Sequence, residues 1–161
     1  RATDHYQLVS GGQDGITLWD LDPYEGDMLP LRVGMDARAS LTRTVTSLSF
    51  STDGEYLFGA TTTGDYLVAS MKAQKILTSV QATKRGLTSI LASNDGGVLV
   101  GCGDSTIKTF DKNFEYTGQI ELDGNVVGLS RSADGMEALA ATGAGSVFRV
   151  NIGTRQHITI A

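Results

Sequence analysis

A single cysteine, Cys102, is all the thiol this sequence holds, so no disulfide can close within it and a reducing compartment is the simpler setting. Two histidines, His5 and His157, and one cysteine are too few to assemble a zinc site without help from carboxylates. No apolar run approaches the ~18 residues that a bilayer-spanning helix needs, and no Asn-x-Ser/Thr acceptor points to secretion. An excess of basic residues is missing too. The net charge is -5, which argues against broad phosphate neutralisation and so against a nucleic-acid partner. Proline is limited to Pro23 and Pro30, whereas glycine reaches 20 residues, a balance that suggests many tight turns. Hydrophobic residues at 40% and charged residues at 19% are those of a folded chain of ordinary domain size. The chain begins at Arg1 rather than Met, which reads as a piece of something longer.

What the sequence does have is a repeat. Asp-Gly pairs stand at Asp53-Gly54, Asp95-Gly96 and Asp134-Gly135, so the spacings are 42 and 39 residues. That is close to the ~40–45 residues of a four-stranded propeller blade. Upstream of the pairs, Val45-Thr-Ser47-Leu48 falls on Leu87-Thr-Ser89-Ile90 and on Val126-Val-Gly128-Leu129. A serine follows in each copy two residues before the aspartate: Ser51, Ser93, Ser132. Downstream, Phe58-Gly59-Ala60 falls on Val100-Gly101-Cys102 and Leu139-Ala140-Ala141. Val9-Ser10-Gly11 joins the same frame, and Trp19-Asp20 matches Phe110-Asp111 and Val150-Asn151, with Ala69-Ser70 as a degenerate copy.

Within a repeat the segments are short, rich in β-branched and aromatic residues, and bounded by Gly, Asp, Asn and Thr. Asp-Gly between such runs supplies the positive φ of a tight hairpin turn. The expected fold class is therefore all-β: a propeller of about four four-stranded antiparallel blades, part of a larger ring. One partial propeller over 1–161 is expected, with blades near 1–36, 44–81, 86–122 and 125–161. The first lacks its innermost strand, and residues 22–43 form a longer connection that holds both prolines. No stretch shows a helical period over ten or more positions.

That frame decides how Gly11 and Gly12 should be read. A phosphate-cradling loop needs a strand, a glycine turn and then a helix whose N-terminus faces the anion. Here Ile16-Thr-Leu18-Trp19 follows, an alternating strand. The glycine positions recur as Ala60-Thr61, Cys102-Gly103 and Ala141-Thr142, all small, so the demand is for close packing between neighbouring sheets.

Asp20-Leu-Asp22-Pro-Tyr-Glu25-Gly-Asp27 has the acidity of a calcium loop, but Glu25 and Leu31 stand where the EF-hand pattern wants Gly and Glu. A solvated acidic loop fits better. Cys102 has no nearby histidine and shares its column with Gly11, Ala60 and Ala141, which points to a buried thiol and not a nucleophile. Catalytic residues, cofactor and metal are expected to be absent. The basic residues, in contrast, cluster: Arg38 and Arg43 precede the second repeat, and Lys84-Arg85 precede the third. Both groups lie in a connection that leads to an innermost strand, so in a propeller they would crown the same face. Asn125 breaks the pattern in the fourth repeat. Such a strip could dock an acidic partner, against the plainer reading of solvated loop charges.

Ser10-Gly-Gly-Gln-Asp14-Gly15-Ile-Thr-Leu-Trp19-Asp20 resembles the strand-turn-strand signature of WD-repeat β-propellers. The Gly-His dipeptide that usually opens a repeat is missing throughout, which puts in doubt the His–Ser–Asp hydrogen-bond network of standard blades. Gly59-Ala-Thr-Thr-Thr-Gly64-Asp65-Tyr-Leu67, Leu99-Val-Gly-Cys-Gly-Asp104, Gly124-Asn-Val-Val-Gly-Leu129 and Val147-Phe-Arg149-Val150 resemble hairpins of the cilia- and flagella-associated WD-repeat proteins. Centriolar relatives and the echinoderm microtubule-associated-like propellers share the likeness. The resemblance implies a non-catalytic scaffold of doublet microtubules in the axoneme, with tubulin and microtubule-associated proteins as partners. It implies a cytoplasmic, cytoskeletal location, no nucleic acid or membrane, and the rest of its own propeller as a further neighbour. A soluble adaptor unrelated to cilia is the alternative. On this view Arg38, Arg43, Lys84 and Arg85 face the acidic surface of tubulin.

Overall fold

The computed structural model describes residues 6–13, 15–21, 28–32 and 43–161. Among the described residues, fifteen strands form four antiparallel sheets. The first sheet holds β1 (Tyr6–Gly12), β2 (Gly15–Leu21) and β3 (Met28–Arg32). The second holds β4 (Val45–Phe50), β5 (Tyr56–Thr61), β6 (Asp65–Ser70) and β7 (Lys75–Gln81). In the third are β8 (Leu87–Ala92), β9 (Val98–Cys102), β10 (Thr106–Phe110) and β11 (Tyr116–Glu121). The fourth comprises β12 (Val126–Arg131), β13 (Glu137–Thr142), β14 (Val147–Asn151) and β15 (His157–Thr159). Each sheet runs in chain order, a meander, and β8 packs between β4 and β12. Strand β2 begins at Gly15, φ 93°, so the glycines of the opening motif close a hairpin and no helix follows them.

The turn that joins the first two strands of a full sheet explains the Ser-x-Asp-Gly column. The Ser51 hydroxyl donates to Asp53 Oδ1 (2.5 Å) and accepts from the Tyr56 amide (2.9 Å), while Asp53 Oδ1 accepts from the Glu55 amide. Ser132 and Asp134 repeat this with Met136 and Glu137; Asp95 Oδ1 likewise accepts from the Ser93 hydroxyl and the Gly97 amide. Gly54, Gly96 and Gly135 hold φ of 73°, 85° and 72°, left-handed values that favour glycine. The hydroxyl bonds hold Asp53, Asp95 and Asp134 below the ordinary carboxyl value.

One column shifts. The Ser93 amide closes on Gly97, whereas those of Ser51 and Ser132 close on the fifth residue along, Tyr56 and Glu137. The third turn is therefore one residue shorter, and Ser47↔Ala60, Ser89↔Gly101 and Gly128↔Ala141 are the equivalent pairs. Gly101, not Cys102, occupies the small position of the third sheet. A slip of one residue exchanges the two faces of a strand, so the correction matters. A Cβ on Gly11 or on Gly101 would lie 2.6 Å from Cγ1 of the valine that opens the next sheet's inner strand, Val45 or Val126. The expected packing demand is thus real, and it falls where sheets meet.

The apolar interior lies between sheets. Phe58, Tyr66 and Val68 of the second sheet interleave with Leu87, Ile90, Val98 and Phe110 of the third, and the Tyr66 and Phe110 rings meet edge-on at 5.2 Å. Leu99, Ile107 and Ile120 pack in turn against Val126, Ala140 and Phe148 of the fourth. The inner strands are tied by polar atoms as well. Ile90 and Ala92 donate backbone N–H groups to the Ser47 and Ser49 hydroxyls (3.3 and 3.0 Å), and Thr46 donates to the Leu87 carbonyl (2.9 Å). These bonds cover an inner edge that would otherwise present unpaired backbone groups.

Candidate partner-binding face

In a meander, the turns between second and third strands gather at one end of every sheet, beside the connections that lead to the inner strands. Backbone bonds show this adjacency three times: Thr62 to Thr44, Gly103 to Gly86, and Gly143 to Asn125. Three of the basic residues singled out above, Arg43, Lys84 and Arg85, belong to this end.

At the second sheet, Arg43 Nε lies 3.3 Å from Asp65 Oδ2, with the two side chains 14% and 3% exposed. Asp65 Oδ1 accepts from Thr61 (2.6 Å) and from Thr63. The Nε–Oδ2 contact is an ion pair without hydrogen-bond alignment. At the third sheet, Asp104 accepts from Thr106 (2.6 Å) within the hairpin and from Thr83 (2.7 Å) in the connection. Lys108 Nζ stands 3.3 Å from the same carboxylate and donates to the Ala82 carbonyl at 3.0 Å. Burial works against ionisation of Asp104, but the bonds from Thr106 and Thr83 and the Lys108 charge outweigh it and hold the carboxyl below its ordinary value. At the fourth sheet the carboxylate changes sides: Asp123 of the connection accepts from Ser146 and from Thr142 (2.8 Å) of the hairpin. Those two bonds hold Asp123 low.

The second, third and fourth sheets thus each carry a polar clamp between hairpin and connection, made from different residues. Here lies the replacement for the missing Gly-His pattern. Part of the usual signature survives in the first sheet, where Trp19 Nε1 donates to the Ser10 hydroxyl at 2.8 Å.

Lys84 and Arg85 sit differently. Their loop crosses directly over the second sheet's hairpin: the Ala82 and Thr83 amides both donate to the Gly64 carbonyl at 3.0 Å. A Cβ on Gly64, φ 85°, would meet the Thr83 carbonyl oxygen at 2.2 Å. The Arg85 amide donates to the Thr83 hydroxyl (3.2 Å). Both side chains are exposed, and neither forms an ion pair among the described residues. Of the four basic residues, then, two are presented to solvent by a braced loop and one, Arg43, has its charge engaged. Arg38 lies outside the described residues, as do His5, most of the 22–43 connection and the acidic run after Asp20.

Cys102 is fully buried, and burial pushes its thiol up to about 11. Among the described residues no group of three or more His, Cys, Asp or Glu is placed to hold a metal ion.

No family model and no curated protein matches the chain. Solved structures do. The crystal structure of the RRP9 WD40 repeats superposes with a TM-score of 0.76 at 16% identity over 96% of this chain and 47% of that one. The structure of U3-55K matches with the same score and identity, covering 96% and 48%. Kuenenia stuttgartiensis hydrazine synthase matches at 0.70 and 15%, covering 94% and 48%. The chain spans about half the length of each. At such identities the likeness speaks for architecture alone, and one of the three bears the name of an enzyme. In architecture, this chain is a set of consecutive blades of a WD-repeat β-propeller.

Proposed function

We propose that the chain is a non-catalytic interaction scaffold that docks on tubulin in the doublet microtubules of cilia and flagella through its connection-and-hairpin face. The observation that carries the reading is the Lys84-Arg85 pair, exposed on a loop whose backbone is pinned to the hairpin beneath it. A pinned loop loses little entropy on docking, and a paired positive charge suits an acidic partner surface. The hairpin resemblance to ciliary WD-repeat proteins supports tubulin as that partner.

Co-sedimentation with taxol-stabilised microtubules tests it. Lys84→Glu with Arg85→Glu is expected to weaken binding by about tenfold, a range typical of losing two rim charges on an acidic partner, and added salt should weaken the native chain in parallel. Unchanged sedimentation of the doubly reversed variant would reject the docking face. Failure of the native chain to sediment would reject the microtubule and leave a soluble adaptor.

A further inference from the structure

At the opposite end of the sheets, a cleft of about 300 Å³ opens between the second and third. Tyr56, Phe58 and Phe114 form its walls, and Asp53, Asp95 and Lys112 stand at its rim. The Phe58 and Phe114 rings meet edge-on, 6.3 Å apart at 71°.

Phe114 is the unusual member. Its φ is +66°, in the left-handed region where a bulky side chain is rare. The turn that holds it is well made: Asp111 Oδ1 accepts from the Asn113 and Glu115 amides (2.8 and 2.9 Å), and the Phe114 amide donates to the Asp111 carbonyl (2.9 Å). Glycine would close the same turn without strain. The ring is therefore not needed for the turn; it packs against the core beside Phe58 and forms a wall of the cleft. The equivalent positions of the second and fourth sheets, Gln74 and Arg155, share the left-handed backbone but carry no aromatic ring.

The rim is predominantly acidic. Asp53 and Asp95 each use Oδ1 for their own turn, while Oδ2 of each has no hydrogen-bond partner among the described residues. Aromatic faces attract cations, and carboxylates at the mouth of an apolar slot suit a group with an apolar stem and a charged head. We propose that the Tyr56–Phe58–Phe114 cleft is a second recognition site, which takes the cationic side chain of an arginine or lysine from a basic segment of a partner protein. Both carboxyls, held below their ordinary value by the serine bonds, are ionised at neutral pH. The proposal goes beyond the tubulin reading and does not rest on it, because the two sites lie at opposite ends of the strands.

The test is a titration of the ¹⁵N-labelled chain with acetyl-Gly-Arg-Gly-amide, and with the same peptide carrying Leu or Glu at its centre. The arginine peptide should move the amides of Gly54, Gly96 and Phe114 and saturate, and the glutamate peptide should leave them in place. Asp53→Asn with Asp95→Asn keeps the Oδ1 acceptors of both turns, and Phe114→Gly suits the left-handed backbone, so both variants should fold. Each should weaken the arginine peptide about fivefold, the scale of one cation–π or charge contact. Absent shifts, equal shifts from the leucine or glutamate peptide, or undiminished binding by folded Phe114→Gly would each overturn the proposal.

Discussion

The second and third sheets solve one mechanical problem with different chemistry. Both must fasten a hairpin to the connection beside it. In the second, a cation of the connection, Arg43, reaches a buried carboxylate of the hairpin, Asp65. In the third, a hydroxyl of the connection, Thr83, reaches Asp104, and the cation comes from the hairpin's own strand as Lys108. The difference teaches that a positive charge beside an inner strand does not have one meaning. Arg43 is spent on the fold, whereas Lys84 and Arg85, at the equivalent place one blade later, are left for solvent because Thr83 already makes the clamp.

Substitutions can break that contrast. The largest effect is expected at the point the two clamps share, since Gly64 carries the loop that bears Lys84 and Arg85. Gly64→Val should destabilise by about 3 kcal/mol or more, from backbone strain joined to a clash with the Thr83 carbonyl, and chemical denaturation would measure it. Arg43→Gln comes next. It leaves the Asp65 carboxylate buried without its counter-charge, at about 2–3 kcal/mol given that Arg43 keeps slight exposure. Thr83→Val removes a hydrogen bond to a charged group together with the acceptor of the Arg85 amide, and should cost about 1–2 kcal/mol.

Acid sharpens the contrast further. The folded value of Asp104 lies below the ordinary 3.8, so its contribution is complete above that value and fades as pH falls through the folded one. Thr83→Val should move the Asp104 titration upward in carbonyl NMR, because it deletes a bond to the ionised form, and the acid unfolding of the variant should begin at higher pH.

Much of the architecture was legible because the repeat writes it several times over. Asp-Gly after an alternating run favours a left-handed turn, and Gly54, Gly96 and Gly135 of the repeat provide one. The slip in the third sheet was not legible, since Asp95-Gly96 has the same letters as its fellows and a turn shorter by one residue shows only in which carbonyl accepts from the Ser93 amide. The clamps were hidden for a different reason. Arg43 and Asp65, or Asp123 and Ser146, are far apart in sequence and follow no shared pattern. Nothing in a charge seen singly tells whether a carboxylate lies buried beneath it. The cleft escaped notice because Phe58 and Phe114 belong to different sheets and Phe114 sits in a turn where a polar residue or glycine is the ordinary choice.

The most direct measurement of this account is a pair of thermal melts at neutral pH, Arg43→Gln against the double variant Lys84→Gln with Arg85→Gln. Arg43→Gln should melt roughly 5–10 °C below the native chain, as its loss of stability implies for a chain of this size, and the double variant should stay within about 2 °C. Equal melting of the two, or a larger drop in the double variant, would contradict the division between a cation that holds the fold and cations that are free to bind.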